Sequence, residues 1–120
     1  MVKPGGRPPQ LAQLARLAEL KSEMELKRLA ALNRNVTAAR QGIAAAEAVV
    51  AGCYAAAAPL SLAEARVASA EAGAAARRAE AARSDLAQML PRFEQARQRA
   101  MREFGRAAAL RGLAQKAGGD

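Results

Sequence analysis

The 120-residue sequence contains no histidine and no tryptophan, and its single cysteine is Cys53. Without histidine, the commonest general base and the commonest nitrogen ligand for metals are both missing. A glycine-rich phosphate loop ending in Lys-Ser or Lys-Thr is missing too. One cysteine cannot form an internal disulfide, and we expect it to be a small buried hydrophobe. These absences predict a protein that is not an enzyme, with no catalytic residues, no metal and no cofactor.

Aromatic residues and long apolar runs are also scarce. The aromatics are Tyr54, Phe93 and Phe104. The least charged stretch, residues 48–63, is too short and too weakly apolar to span a membrane. Residues 1–10 carry charges and prolines but no apolar region of the kind found in secretory signals. The sequence therefore predicts a cytoplasmic protein without membrane insertion.

Alanine supplies most of the apolar content. The sequence is 52% hydrophobic, but burying an alanine removes only one methyl group from water. That burial is worth roughly 0.8 kcal/mol, against ~1.5–3 kcal/mol for a leucine. A core built in this way is thin and marginally stable. We therefore expect the protein to rely on a protein partner or on a second copy of itself, and homodimerisation is one of these options.

A heptad pattern between residues 29 and 53 organises the chain. Read in steps of three and four, every a and d position there is apolar or small, which places these side chains on one stripe of a long helix. The positions are Leu29, Leu32, Val36, Ala39, Ile43, Ala46, Val50 and Cys53. Such a stripe must be covered by another helix, and the chain supplies one after Pro59.

Two local signals divide the chain into two helices. Pro59 forbids simple continuation of the first helix. Ser61 and Glu64 form a capping-box pattern, which predicts a new helix that begins near Leu62. The alternative is one continuous helix with a kink at Pro59.

The predicted fold is all-α, a long antiparallel two-helix coiled-coil hairpin. Its parts are a flexible tail at 1–9, helix one at about 10–57, a turn at about 58–61, helix two at about 62–115 and a flexible end at 117–120. Pro91 lies inside helix two and is expected either to kink or to break it.

The rest of the predicted seam follows the larger apolar residues. The first turns of helix one give a strip of Leu11, Leu14, Leu17, Leu20 and Met24. Ser22 and Glu25 fall where the heptad frame requires apolar residues, so we expect the seam to slip between about Lys21 and Leu29. In helix two the predicted seam is Leu60, Ala63, Val67, Ala70 and Ala74, then Leu86, Met89, Phe93, Ala96, Ala100, Glu103, Ala107, Leu110 and Ala114.

Three surfaces are candidates for contact with a partner protein. The open end of the hairpin carries an excess of large apolar side chains: Leu11, Leu14, Leu17, Phe104, Leu110 and Leu113. An arginine-rich run points around most of helix two and suits an acidic protein surface: Arg92, Arg97, Arg99, Arg102, Arg106, Arg111 and Lys116. The almost uncharged turn presents Tyr54, Leu60 and Leu62.

Each surface also has a simpler interpretation. The apolar side chains at the open end can pack on each other, the cations can form a solvated coiled-coil exterior, and the turn can be packed rather than bound. A net charge of +8 suits an acidic protein, nucleic acid or an anionic membrane. Because aromatic stacking residues are scarce, binding of single-stranded nucleic acid is not expected. No small-molecule substrate is expected either.

The architecture resembles the FliJ/YscO family, the coiled-coil stalk proteins of flagellar and type III secretion export. The segments that carry the resemblance are LAQLARLAELKSEMELKRLAAL (Leu11–Leu32) and RFEQARQRAMREFGRAAALRGLAQ (Arg92–Gln115). The resemblance implies a non-enzymatic stalk whose paired ends enter the central hole of a hexameric export ATPase and which links that ATPase to the membrane export gate. On this sequence, Leu11–Leu20 and Arg92–Leu113 would lie in the ring.

Two other functions remain open on the sequence. One is an amphipathic, alanine-rich surface binder, such as a phasin-like coat of polymer granules. The other is a generic dimerising coiled-coil scaffold. Gene neighbourhood discriminates between the export stalk and the granule coat, because a stalk is expected beside export genes and a granule coat beside genes of polyester synthesis.

Overall fold

The computed structural model describes residues 7–55 and 60–119, which form two helices. Helix α1 runs from Arg7 to Ala55, and helix α2 runs from Leu62 to Gly119. The two helices pack against each other, and no strand occurs in these two described segments. The predicted all-α two-helix hairpin is confirmed.

Both helices are longer at their free ends than the sequence suggested. Helix α1 begins at Arg7, so prolines 8 and 9 lie in its first turn, where the backbone N–H groups have no intrahelical partner and a proline costs no hydrogen bond. Helix α2 continues to Gly119. Residues 7–9 and 117–119, predicted to be flexible, are therefore helical. The predictions for residues 1–6, 56–59 and 120, which include Pro59 and the start of the turn, lie outside the described residues.

The start of α2 uses the predicted cap. The Glu64 amide donates to the Ser61 hydroxyl oxygen at 3.1 Å, and the Ala65 amide donates to the Ser61 carbonyl at 2.9 Å. The first bond satisfies a donor that the first turn would otherwise leave unpaired, and the second is the first backbone hydrogen bond of the helix. Because the two helices pack on each other, a single helix bent at Pro59 does not describe the chain.

The chain divides into two compact units, and the boundary in α2 follows Pro91. The terminal unit comprises Met1–Leu32 and Arg92–Asp120, and the turn unit comprises Asn33–Pro91. Helix α2 is continuous through Pro91, so the proline does not break it. The predicted kink at this residue stays a prediction.

The predicted seam of α1 is confirmed from residue 29 to residue 53. All eight predicted side chains are buried or half-buried. Val36 and Ala46 are the most enclosed of them, at 5% and 4% exposure. Cys53 is half-buried on this seam.

The predicted slip of the seam at the start of α1 is wrong. The same three-and-four spacing continues backwards from Leu29 without interruption, and its buried or half-buried positions are Glu25, Ser22, Ala18, Ala15 and Leu11. Most of the predicted leucine strip lies outside the seam, and its exposed members are Leu14, Leu17, Leu20 and Met24. On α1, the seam of the terminal unit thus includes two polar residues, and four large apolar residues face solvent.

The predicted early seam of α2 is also wrong. Five buried or half-buried positions there continue the spacing of the later seam, and they are Ala68, Ala72, Ala75, Ala79 and Ala82. Of the predicted residues, Ala74 is half-buried, whereas Leu60, Ala63, Val67 and Ala70 are exposed. The later predicted seam, from Leu86 to Ala114, is buried or half-buried at every position.

Small side chains explain both corrections. Among the described residues, no large side chain is fully buried, and alanine dominates the buried set. Alanine on both sides of a seam lets two helices approach to the short end of the ~8–10 Å range. A leucine or valine inserted there would be overpacked. Where the seam is narrow it therefore follows the small residues, and Leu14, Leu17 and Val67 lie outside it.

Candidate docking surface of the terminal unit

Two ion pairs define how the helices of the terminal unit are aligned. Arg111 Nε lies 2.6 Å from a Glu19 carboxylate oxygen, and Lys21 Nζ lies 3.6 Å from one of Glu103. Residue numbers rise along α1 while their partners' numbers fall along α2, as an antiparallel pair requires. Glu19 and Arg111 each follow a d position of the seam, so both are e positions. The e positions therefore flank the seam on one side and the g positions on the other.

The e/b side of the terminal unit, called here the opposite face, is electrostatically balanced. Its charged residues are Arg16, Glu19, Glu23, Glu94, Arg97 and Arg111, so three cations accompany three acids. Leu26 and Phe104 line a shallow groove on this face.

Arg97 on the opposite face is bound within its own helix. Its Nε and one terminal nitrogen donate to the two carboxylate oxygens of Glu94 at 3.0 and 2.8 Å. These hydrogen bonds are the main cause of the lowered pKa of the Glu94 carboxyl, and they raise the pKa of Arg97. The other terminal nitrogen lies 3.2 Å from the Met101 sulfur. Arg97 is thus engaged locally rather than open to a partner.

The g/c side of the terminal unit, called here the cationic face, has a different charge pattern. Its cations are Lys21, Arg28, Arg92, Arg99, Arg102, Arg106 and Lys116. From residue 9 to 32 and from residue 92 to 118, no g or c position is acidic. The prediction that the cations of helix two point around most of the helix is therefore corrected, because five of the seven in that run lie on this side.

Two acidic side chains lie in the seam beneath these cations. Glu25 and Glu103 are only 6% and 7% exposed. Arg28 lies 3.3 Å from Glu25, while Lys21 and Arg106 lie 3.6 and 3.7 Å from Glu103. These pairs neutralise part of the cationic charge from below. Seven cations over two carboxylates still leave the face strongly positive.

A groove of about 410 Å³ runs between the two helices on the cationic face. Arginines from both helices line it, together with small and apolar side chains between them. The lining residues are Glu25, Arg28, Ala31, Leu32, Arg92, Gln95, Ala96 and Arg99. A groove with this lining can accept an anionic group at its edges and an apolar group at its floor.

Exposed apolar side chains continue the same face on α1. Leu14, Leu17 and Met24 occupy g and c positions and are 50%, 63% and 57% exposed. Leu113 is the exposed apolar residue on the α2 side of this face. Large apolar residues left in water beside a field of cations mark a candidate contact surface.

The structure divides the binding residues predicted from sequence. Leu11 and Leu110 are half-buried in the seam, and Arg97 and Phe104 lie on the opposite face. The cationic face holds most of the rest, which are Leu14, Leu17, Arg92, Arg99, Arg102, Arg106, Leu113 and Lys116. Three members of this face were not predicted to bind a partner, namely Lys21, Met24 and Arg28. An unbroken heptad frame through Ser22 and Glu25 was the signal that could have found them.

The predicted contact site at the turn belongs to the turn unit. Tyr54 and Leu60 line a groove there with Val50 and Cys53. Leu62 is exposed at the first position of α2. A role for these residues in binding stays a prediction.

Comparisons with known proteins found no match to this chain. No protein-family model matches the chain, and neither the curated proteins nor the solved structures contain a match. Within residues 7–55 and 60–119, neither helix has a stretch long and apolar enough to cross a bilayer.

Proposed function

We propose that the protein is a non-enzymatic coiled-coil adaptor that docks on an acidic protein through the cationic face of its terminal unit. The observation that carries the proposal is the charge asymmetry between the two faces of that unit. One face balances its charges, whereas the other presents seven cations and no surface acid. Unbalanced surface charge of this kind steers association with an oppositely charged partner.

The resemblance to the FliJ/YscO family supplies the partner class. In that family the stalk ends enter a hexameric export ATPase and link it to the export gate, and we propose the same role for this chain. The terminal unit contains both segments that carry the resemblance, and it also contains the cationic face. Exposed leucines would supply affinity, and the arginines would steer the encounter and fix the register.

A second candidate is favoured by the same leucines. Leu14, Leu17 and Met24 are exposed beside cations, and amphipathic surfaces of that type also coat apolar particles or membranes. The phasin-like coat and the dimerising scaffold therefore remain as the alternative functions.

Co-purification with a tagged export ATPase tests the proposal. We expect Arg99→Glu with Arg102→Glu to weaken retention mainly at low salt, since salt screens exposed charges beyond about 8–10 Å. We expect Leu14→Ala with Leu17→Ala to weaken it at every salt concentration. Each pair has a control on the opposite face: Arg97→Glu for the charges and Leu26→Ala for the apolar contact.

The controls decide whether the cationic face is the contact. If Arg97→Glu and Leu26→Ala lower retention of the ATPase as much as the variants of the cationic face do, binding does not depend on the cationic face. An ATPase that is never retained, even at low salt, would remove the export stalk as the function.

A further inference from the structure

The exposed side of α1 in the terminal unit carries a second heptad stripe. Its members follow one another at intervals of three and four residues, and they are Leu14, Leu17, Lys21, Met24, Arg28 and Ala31. This spacing is the one that lets a helix contact another helix along a continuous line. At 1.5 Å per residue, the stripe extends for roughly 27 Å. It lies beside the seam that α2 already occupies.

The facing stripe of α2 has the same spacing but a different chemistry. Its members from the boundary of the unit onwards are Arg92, Gln95, Arg99, Arg102, Arg106, Ala109, Leu113 and Lys116. Arginine offers several N–H donors in a planar fork that matches a carboxylate. The two walls of the groove therefore differ, because α1 presents mostly apolar contacts and α2 presents mostly cations.

We infer that this groove accepts an acidic amphipathic α-helix of the partner protein, which completes a three-helix bundle with α1 and α2. The inference rests on the proposed function, because it names the segment of the acidic partner that binds. One flank of the incoming helix packs its leucines or alanines against Leu17, Met24 and Ala31. Its adjacent flank places glutamates or aspartates against Arg92, Arg99 and Arg106.

Charge complementarity selects this occupant over the others. The terminal unit of a second copy offers no acidic face, since its opposite face balances three cations with three acids. A flat bilayer would contact the outermost side chains, but here most of the apolar groups lie on one wall of a groove and most of the cations lie on the other. The cationic face has no aromatic side chain in the described segments, which disfavours stacking of nucleic-acid bases.

A designed peptide tests the inference with the full chain. The probe is a synthetic peptide of about 21 residues, long enough to follow the stripe, with leucine and alanine at a and d positions and glutamate on one flank. One control peptide replaces each glutamate by lysine, and the other scrambles the same composition. Titration calorimetry measures Kd, and circular dichroism measures helix gained on mixing. We expect the acidic peptide to bind and to gain helix, and both controls to fail.

Variants of the full chain locate the binding groove. We expect Met24→Glu and the pair Arg92→Glu with Arg99→Glu each to raise the Kd of the acidic peptide about tenfold or more. Arg97→Glu and Leu26→Ala, on the opposite face, should leave the Kd unchanged. An equal loss of affinity in these controls, or equal binding of the lysine peptide, overturns the inference.

The outcome is separable from the fate of the proposed function. A chain that retains the export ATPase but does not bind the acidic peptide overturns the helix-in-groove inference and leaves the adaptor role intact. Vesicles of phosphatidylglycerol serve as the competing surface. If they displace the acidic peptide and Met24→Glu abolishes their binding, the face is a membrane contact and both proposals fall.

Discussion

Arg111 Nε lies 2.6 Å from a carboxylate oxygen of Glu19, and this pair bridges α1 and α2 on the opposite face of the terminal unit. The two residues are 92 positions apart in the sequence, so their contact reports the alignment of the helices. Both side chains are partly exposed. Exposed ion pairs of this kind contribute little to stability but fix which residues meet.

A double-mutant cycle on this pair measures the alignment. We expect Glu19→Gln and Arg111→Gln each to lower the free energy of unfolding by roughly 0.2–1 kcal/mol, and the double variant to lose less than their sum. Urea unfolding of the variants supplies the values. If the two losses simply add, the residues do not interact in solution.

The alanine seam of α2 gives a second prediction. Ala75 is 0% exposed, whereas Ala70 is exposed, although both alanines lie in the same stretch of helix. Ala75→Leu should cost about 1–3 kcal/mol because a leucine does not fit a closely packed seam. Ala70→Leu should be close to neutral. Thermal unfolding compares the two variants, and the reverse order would restore the seam that was predicted from the larger residues.

The sequence specifies the fold more clearly than it specifies the faces. The eight seam residues of α1 were predictable because Leu32, Val36 and Ile43 are large enough to mark the stripe. The cap at Ser61 was predictable because it depends on neighbouring residues alone. Both signals are local or periodic, and neither requires knowledge of the other helix.

The faces of the terminal unit were not predictable in the same way. Hydrophobicity placed Leu14 and Leu17 inside and Glu25 outside, but the structure places them the other way round. The reason is that a close seam selects small side chains, and a buried glutamate can be neutralised by a cation such as Arg28 at its edge. The seam of α2 from Leu86 to Ala114 was predicted correctly, so the face shared by Arg99, Arg102 and Arg106 could have been derived from it. The cations of α1 on that face depend on the seam that was predicted wrongly.

The Glu94–Arg97 pair predicts a pH dependence. Hydrogen bonds from Arg97 lower the pKa of the Glu94 carboxyl in the folded chain. The pair therefore stabilises the folded chain above the unfolded pKa of Glu94, and this stabilisation is lost as the pH falls through the lowered value.

An NMR titration of the Glu94 carboxyl carbon checks this prediction. We expect Arg97→Gln to raise the pKa of Glu94 towards its ordinary value. Added salt should also raise the pKa of Glu94 in the native chain, because Arg97 and Glu94 are exposed and salt screens their interaction. In the Arg97→Gln chain, salt should have little effect on this pKa. A pKa of Glu94 that is the same in both chains would show that the pair does not form in solution.

The last prediction concerns the polar layer in the seam of the terminal unit. Ser22, Glu25 and Glu103 are buried there, and one carboxylate oxygen of each glutamate has no hydrogen-bond partner among the described residues. Burying a carboxylate costs free energy that its ion pairs repay only in part. Lys21, which pairs with Glu103, and Arg28, which pairs with Glu25, are exposed and would remain hydrated if the carboxylates were removed.

We therefore expect Glu25→Leu with Glu103→Leu to raise the free energy of unfolding by about 1–4 kcal/mol. A seam without the two carboxylates specifies one alignment less strictly, since buried polar residues fix the register of coiled coils. The coupling energy between Glu19 and Arg111 should accordingly fall in this background, and sedimentation should reveal larger assemblies. Glu94→Leu, an exposed control on the opposite face, should change neither the coupling energy between Glu19 and Arg111 nor the size of the assemblies. A double variant less stable than the native chain would show that the two carboxylates are net stabilising, and an unchanged coupling energy would show that the alanines alone fix the alignment.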